Sequence, residues 1–178
     1  MTLLLLIAGL VSATGLTFGE ELLRWMESRY GTVARDRVVA LQELVEDGQH
    51  IGEPSKLDRV NAFFNRVDYA SDYARWDQKD YWATPFEVLG LNSADCEDYA
   101  IAKYFTLMSM GVDEERLRIT YVKSLKLNEA HMVLAYYRAP DAEPLILDNL
   151  TARIAPAGER TDLIPVYSFN GADLWLAI

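Results

Sequence analysis

Apolar residues in the first part of the chain recur every three or four positions, which is the spacing of one helix face. The pattern predicts a helix over 20–30 and a second over 34–48, which Gly48 ends. A third helix is predicted over 54–67, because Pro54 suits the first turn of a helix. The chain therefore begins its folded part with amphipathic helices.

The polar and aromatic stretch 68–85 interrupts this spacing and predicts a loop with a short helical turn. A short segment follows at 86–94, and a further helix is predicted from about Cys96 to Met110, where Gly111 stops it.

Beyond Gly111 the apolar positions come in short runs rich in Val, Ile, Leu and Tyr, separated by Pro, Gly, Asn and Asp. Runs of this kind are typical of antiparallel strands. Helices first and an antiparallel sheet second predict an α+β fold. The predicted strands are RLRITYVKS, AHMVLAYYR, PLILDNL, PVYSFN and DLWLAI.

The length and composition of the chain predict a single globular domain over 14–178. Of 178 residues 51% are hydrophobic, enough for one full core. The 17 basic and 27 acidic side chains give a net charge of −10, without a basic cluster, which argues against nucleic acid and anionic membranes as partners.

The first residues, 1–13, have the apolar core and the small residues of a secretory signal peptide. No basic residue precedes the apolar run, so a start further upstream and a buried N-terminal helix or strand remain alternatives. The run from Leu3 to Val11 is too short to span a bilayer. If the signal prediction holds, the protein works outside the cytoplasm.

The chain has one cysteine, Cys96, in the stretch SADCEDYAIAKYF. A helix beginning at this residue directs its N–H groups and positive dipole end at the sulfur, which favours the reactive thiolate. Of the two histidines, His50 lies in a polar loop and His131 begins a predicted strand, which makes His131 the better candidate base. Asp148, at the end of the next apolar strand, is a candidate to orient it.

Each of these residues also has an ordinary interpretation. A lone cysteine is most often a buried apolar side chain, and an aspartate at a strand end commonly caps or faces solvent. The turn around APDAEP has no unique type, so the sequence leaves open whether His131 and Asp148 share a face of the sheet.

Negative charge surrounds the thiol, since Asp95, Glu97 and Asp98 flank it. Bare carboxylates disfavour a thiolate, so either they point away or a cation lies among them. Their hard oxygen ligands favour calcium. Alternatively, they only stabilise the first helical turn. Further oxygens for a calcium shell would come from backbone carbonyls or from Asp77, Asp80, Asn92 or Ser93.

Six collinear stretches within residues 50–175 resemble the bacterial transglutaminase-like cysteine proteinases. The resemblance implies a papain-like, transglutaminase-like core with Cys96 as nucleophile, His131 as general base and acid, and Asp148 orienting the histidine. It also implies calcium dependence, with Asp95 and Glu97 as ligands and Asp98 as a less certain one. The stretches are DYWATPFEVLG, DCEDYAIAKYFTLMSMG, LRITYVKSL, AHMVLAYY, PLILDNL and DLIPVYSFN.

The resemblance is greatest to family members that act in the periplasm. It implies a large cell-surface biofilm adhesin as substrate, cut in its N-terminal region beside a pair of alanines. It also implies a partner, the periplasmic domain of an inner-membrane receptor that senses cyclic di-GMP. Trp82 or Trp76 is the expected contact with that receptor, unless both tryptophans simply pack against the helix of Cys96.

The chain departs from the family pattern at Asn92, Ser93 and Ala94, where glycines are usual, which bears on substrate range. Two other functions stay open on the sequence alone. One is acyl transfer to an amine, as in transglutaminases; the other is a non-catalytic, calcium-responsive binding module.

Overall fold

The computed structural model describes residues 18–177. The predicted signal peptide at 1–13 lies outside the described residues. Within 18–177, no helix combines the length and the apolarity that a membrane span requires.

Among residues 18–177, six α-helices precede the main sheet, and the periodicity of the sequence predicts four of them closely. They are α1 (Glu20–Tyr30), α2 (Thr32–Gly48), α3 (Glu53–Phe64), α4 (Asp72–Trp76), α5 (Pro85–Leu91) and α6 (Cys96–Ser109). The short helical turn predicted within the loop at 68–85 is α4, and the segment after this loop contains α5. Helix α4 is capped by the Ser71 hydroxyl, and α5 begins with a capping box formed by Thr84 and Glu87.

The main sheet has six antiparallel strands in the order β6-β5-β4-β3-β7-β8, which confirms the predicted α+β fold. Its strands are β3 (Leu117–Ser124), β4 (Glu129–Tyr136), β5 (Leu145–Leu147), β6 (Ala155–Pro156), β7 (Leu163–Phe169) and β8 (Leu174–Leu176). The periodicity did not predict β6, which is only two residues long.

Two further short strands, β1 (Asp68–Tyr69) and β2 (Ser93–Ala94), pair in parallel beside the start of α6. The Ala70 N–H continues this pairing by donating to the Ala94 carbonyl. This small ladder holds the chain before α4 against the chain before α6, and so brings two distant acidic stretches together.

Helix α6 is buried in the core and packs against β4. Strand β4 is buried from His131 to Tyr136, so its run of apolar residues lacks the alternation of a half-exposed strand. Met132, Leu134 and Tyr136 join the large core shared with α6, whereas Val133 and Ala135 join a smaller cluster. Alternation along β4 thus fills two apolar layers and fixes the position of the strand relative to α6.

Candidate active site and cation site

Cys96 is the first residue of α6 and is half-buried. Its backbone N–H is one of the four that a helix start leaves without an intrahelical partner. The Met132 backbone contributes a hydrogen bond to the sulfur. The thiol therefore lies against β4 at the residue that follows His131 in sequence.

The position of Cys96 at a helix start predicts a lowered thiol pKa, but its surroundings raise the pKa instead. Burial raises the pKa of Cys96, and the charge and hydrogen bonding of Glu97 raise it further. The thiol donates a hydrogen bond to Glu97 Oε2 over 2.9 Å. Burial and Glu97 outweigh the hydrogen bond from the Met132 backbone, so the pKa of the thiol lies above its ordinary value.

His131 and Asp148 are both buried and are joined by a hydrogen bond of 2.8 Å between His131 Nε2 and Asp148 Oδ1. The register of β4 with β5 explains the contact, because Leu134 lies opposite Leu147. Continuing it by one residue places Asp148 opposite Val133, on the same face of the sheet as His131. With Nε2 engaged by the carboxylate, Nδ1 is the imidazole nitrogen left for chemistry.

Asp148 is kept ionised despite its burial. Burial alone would raise its pKa, but hydrogen bonding and charge from His131, the Leu150 N–H and Arg160 together lower the pKa to about 2. Lys103 lies buried nearby on α6, where burial lowers its pKa to about 7 and the charge of Asp148 opposes that shift. A permanent carboxylate therefore faces the imidazole.

Three carboxylates converge beside the thiol: Asp72, Asp95 and Glu97 each offer an oxygen, and these oxygens lie within 4.8 Å of one another. Asp72 is the first residue of α4, and the β1–β2 ladder brings it to Asp95. Burial, and after it the charges of Glu97, Asp98 and Asp72, raise the pKa of Asp95 to about 8. Asp95 Oδ1 is buried and accepts no hydrogen bond from any described residue.

These observations fit a hard cation. A buried oxygen without a donor, on a carboxylate whose pKa is raised by burial and by like charges, indicates missing positive charge. Three carboxylates suit calcium, which takes oxygen ligands in flexible geometry. Asp95 and Glu97, the two predicted ligands, both lie in this group. Asp72 was missed, because it lies 23 positions before Asp95 in a stretch interpreted as a loop.

Asp98, the less certain predicted ligand, lies outside this group. Its Oδ1 accepts the Ala83 N–H at 2.7 Å and its Oδ2 accepts the Asp95 N–H at 3.3 Å. One oxygen thus accepts the N–H of the residue that caps α6, and the other accepts a backbone N–H of the segment before α5. In the described residues Asp98 links α6 to the segment before α5.

Of the other oxygens considered for a shell, those of Ser93 and Asn92 have different partners, whereas Asp80 lies close enough to Asp72 for its charge to add to burial in raising the pKa of Asp72. Ser93 Oγ accepts from Arg75 Nε at 3.2 Å, and the Asn92 amide donates to Asp68. Asp77 ends α4 with a φ of 52°, and Asn92 ends α5 with a φ of 50°. Asparagine is tolerated in this left-handed conformation, which explains why a glycine is dispensable at Asn92.

The two tryptophans have different surroundings. Trp82 is 47% exposed and stacks on Phe169, with ring centroids 5.9 Å apart. It lines a mainly apolar cleft of about 360 Å³ together with Tyr104, Phe105 and Phe169. Trp76 packs against the ring of Tyr81 at 4.3 Å and adjoins the core. Of the two, Trp82 is the one with an open apolar surface beside it.

A thiol at the start of a buried helix, against a sheet that carries a hydrogen-bonded His–Asp pair, is the arrangement of the papain-like and transglutaminase-like cysteine proteins. The family model of the bacterial transglutaminase-like cysteine proteinases matches residues 41–175. The chain belongs to this family.

Solved structures agree with this assignment. EGTA-treated LapG of Legionella pneumophila is 45% identical with a TM-score of 0.80, over 89% of this chain and 85% of that one. Calcium-bound LapG is 44% identical with the same TM-score, over 88% and 87%. A cysteine-protease-like protein of Cytophaga hutchinsonii, 15% identical with a TM-score of 0.53 over 90% and 53%, shares the fold. No curated protein sequence matches the chain.

Proposed function

We propose that this protein is a calcium-dependent cysteine endopeptidase of the periplasm. Its substrate is the N-terminal region of a large cell-surface biofilm adhesin, which the cut releases. The observation that carries the proposal is the buried His131–Asp148 pair, whose histidine lies on the strand against which the helix of Cys96 packs, in a chain 45% identical to LapG. Periplasmic location, adhesin and receptor rest on the resemblance to the adhesin-releasing members of the family.

In the proposed reaction Cys96 gives its proton to His131 Nδ1 and attacks the scissile carbonyl. The Cys96 N–H at the helix start holds part of the charge that develops on the carbonyl oxygen. Asp148 stabilises the imidazolium and keeps Nε2 oriented. His131 then protonates the leaving amine, and water activated by the same imidazole hydrolyses the thioester.

The residues that would hold calcium are Asp72, Asp95 and Glu97. When bound, calcium supplies the positive charge that this group of carboxylates lacks, beside a thiol whose pKa is raised by burial and by Glu97. LapG exists in calcium-bound and EGTA-treated forms, which supports the same requirement here.

Trp82 is the proposed contact for the periplasmic domain of a LapD-type cyclic-di-GMP receptor. An exposed aromatic ring above an apolar cleft is the kind of surface that anchors a protein partner. Binding there when the nucleotide is abundant would restrain the protease. Trp82→Ala should weaken binding to the receptor domain in a pull-down, and Trp25→Ala, another exposed tryptophan, is the matched control.

The test of the proposed function is cleavage of the N-terminal portion of the large surface adhesin encoded in the same genome. Wild type and Cys96→Ala are compared, each with calcium and with EGTA. His131→Ala is compared with His50→Ala, which removes the other, exposed histidine. Cleavage by wild type and by His50→Ala, only with calcium, is expected; cleavage by Cys96→Ala would contradict the proposal.

One observation favours a second function, a non-catalytic calcium-responsive binding module: the Cys96 thiol donates a hydrogen bond to Glu97, and burial and Glu97 raise its pKa. If calcium leaves the Cys96 thiol no more reactive toward iodoacetamide than a model cysteine, this alternative gains. A transglutaminase-type acyl transferase would instead join a primary amine to the acyl group, which mass spectrometry of the products detects.

A further inference from the structure

The carboxylate of Asp148 is fully enclosed, and each of its oxygens has its own donors. Oδ1 accepts from His131 Nε2 at 2.8 Å and from the Leu150 N–H at 3.0 Å. Oδ2 accepts from Arg160 Nη2 at 2.7 Å. The carboxylate plane is therefore fixed from both ends, and the arginine bond is the shortest of the three.

Arg160 is itself held in place, in the segment between the 3₁₀ turn Ala157–Glu159 and β7. Its Nε and Nη2 bond the two oxygens of Asp162, each over 2.9 Å. The side chain is only 10% exposed. The guanidinium edge that carries Nε and Nη2 forms a bidentate ion pair with Asp162. The second hydrogen of Nη2 is then available to Asp148.

The groups that face Asp148 come from several elements. They are His131 from β4, Arg160 and Asp162 from the segment before β7, and Lys103 from α6. Lys103 contributes charge alone, since its Nζ donates to Asn61 Oδ1 at 2.8 Å. Arg160 is thus the one cation with a hydrogen bond to the free oxygen of Asp148 among residues 18–177.

We propose that Arg160 is a positioning residue for the reaction: by tethering Asp148 Oδ2 to Asp162, it aims Oδ1 at His131 Nε2. The inference rests on the proposed function, because it concerns the same His–Asp pair. Without Arg160 the enclosed carboxylate would turn toward other donors, and the imidazole would lose its fixed orientation. Replacing the aspartate of a protease triad costs about 10⁴-fold in kcat, so loss of its tether should cost less, roughly 10- to 100-fold.

Three variants test the proposal: Arg160→Gln, Arg160→Lys and Arg153→Gln. Arg153 is the matched control because it forms an exposed ion pair with Glu159, the residue before Arg160. The measurements are kcat and KM on the adhesin fragment, and the downfield proton NMR signal of the His131 Nε2–H. We expect Arg160→Gln to lower kcat by 10- to 100-fold with KM within about twofold, and to shift or broaden the signal.

Arg160→Lys should recover part of the loss, since an ammonium reaches one oxygen but cannot form the bidentate ion pair. Arg153→Gln should behave as wild type. Arg160→Gln with wild-type kcat and an unchanged His131 signal would overturn the proposal. If Arg160→Gln fails to fold, Asp162→Asn is the deciding variant, because it keeps Arg160 and weakens the bonds that hold its guanidinium. A several-fold fall in kcat with a shifted His131 signal would support the proposal. Wild-type kcat with an unchanged His131 signal would overturn it.

The NMR signal separates this proposal from the proposed function. Should wild type cleave nothing, the function fails, while a His131 signal that depends on Arg160 still establishes the tether. Should wild type cleave and Arg160→Gln cleave equally well with the same signal, only the tether fails.

Discussion

Replacing Asp72 by asparagine should remove much of the stabilisation that calcium gives this protein. Asp72 is buried, and its oxygen lies within 4.8 Å of those of Asp95 and Glu97. Asparagine keeps the size of the side chain and an oxygen that can accept the Tyr81 N–H, as Asp72 Oδ2 does. The substitution therefore removes one charge with little change in packing.

The repulsion that Asp72→Asn removes can be calculated from the distance between the carboxylates and their charges. Two ionised carboxylates at 4.8 Å repel by about 3.5 kcal/mol at an effective dielectric of about 20. Burial and the neighbouring carboxylates raise the pKa of Asp95 as well, so the repulsion at Asp72 is shared among the members of the group. Because Glu97 is partly exposed, roughly 1–2 kcal/mol is a realistic figure. In EGTA, Asp72→Asn should therefore melt at or above the wild-type Tm.

Calcium at 100 times its Kd should stabilise wild type by about 2.7 kcal/mol, a rise in Tm of about 5–11 °C for a chain of this size. A tenfold weaker site would give about 1.4 kcal/mol at the same concentration. We expect Asp72→Asn to show half the wild-type calcium increment or less. The assay is thermal unfolding by circular dichroism, with calcium and with EGTA.

The control is Asp141→Asn, which removes an exposed carboxylate in the connection between β4 and β5, outside the group. Its calcium increment should equal that of wild type. If Asp72→Asn retained the whole increment, the assignment of these three carboxylates as the cation site would be refuted.

Three further predictions concern the His131–Asp148 pair, the apolar core and the cap of α5. Asp148→Asn should lower kcat/KM by about 10⁴-fold while the protein stays folded, because the wrong imidazole tautomer is favoured; wild-type kinetics would contradict the role of the pair. Phe64→Ala, at a fully buried side chain of α3, should cost about 3–5 kcal/mol in urea unfolding, and a cost below 1 kcal/mol would show that the core is misassigned. Thr84→Ala removes the capping box with Glu87 and should cost about 1 kcal/mol, measured the same way; no change would mean that the cap adds nothing.

The sequence predicted the elements that have strong periodicity, and the structure confirms the α+β order. It could not settle the contact between His131 and Asp148, since that depends on the register of β4 and β5, and the connection between them has no unique turn type. Hydrogen bonding of the sheet fixes that register, with Leu134 opposite Leu147. The pair therefore follows from a tertiary contact that local propensity does not encode.

The sequence did not reveal Asp72 or Arg160, because each reaches its site through tertiary contacts. Asp72 reaches the cation site through β1 and β2, a ladder of two residues per strand that is too short to leave a pattern in the sequence. A signal was available, since Ser71 followed by Asp72 is typical of a helix start. Arg160 has no signal of this kind, because nothing in its neighbourhood indicates that its segment returns to Asp148.

Two aspartates three residues apart show how geometry assigns different tasks to identical chemistry. Asp95 and Asp98 are both buried, and burial raises the pKa of both, to about 8 and about 6. Asp98 has two backbone N–H donors that favour its ionised form, whereas Asp95 Oδ1 has none among the described residues and faces like charges. A carboxylate already supplied with donors gains little from a cation, and one without donors gains most. The structure therefore separates a carboxylate that builds the helix start from one that is free to bind calcium, a distinction that residue type and spacing alone do not make.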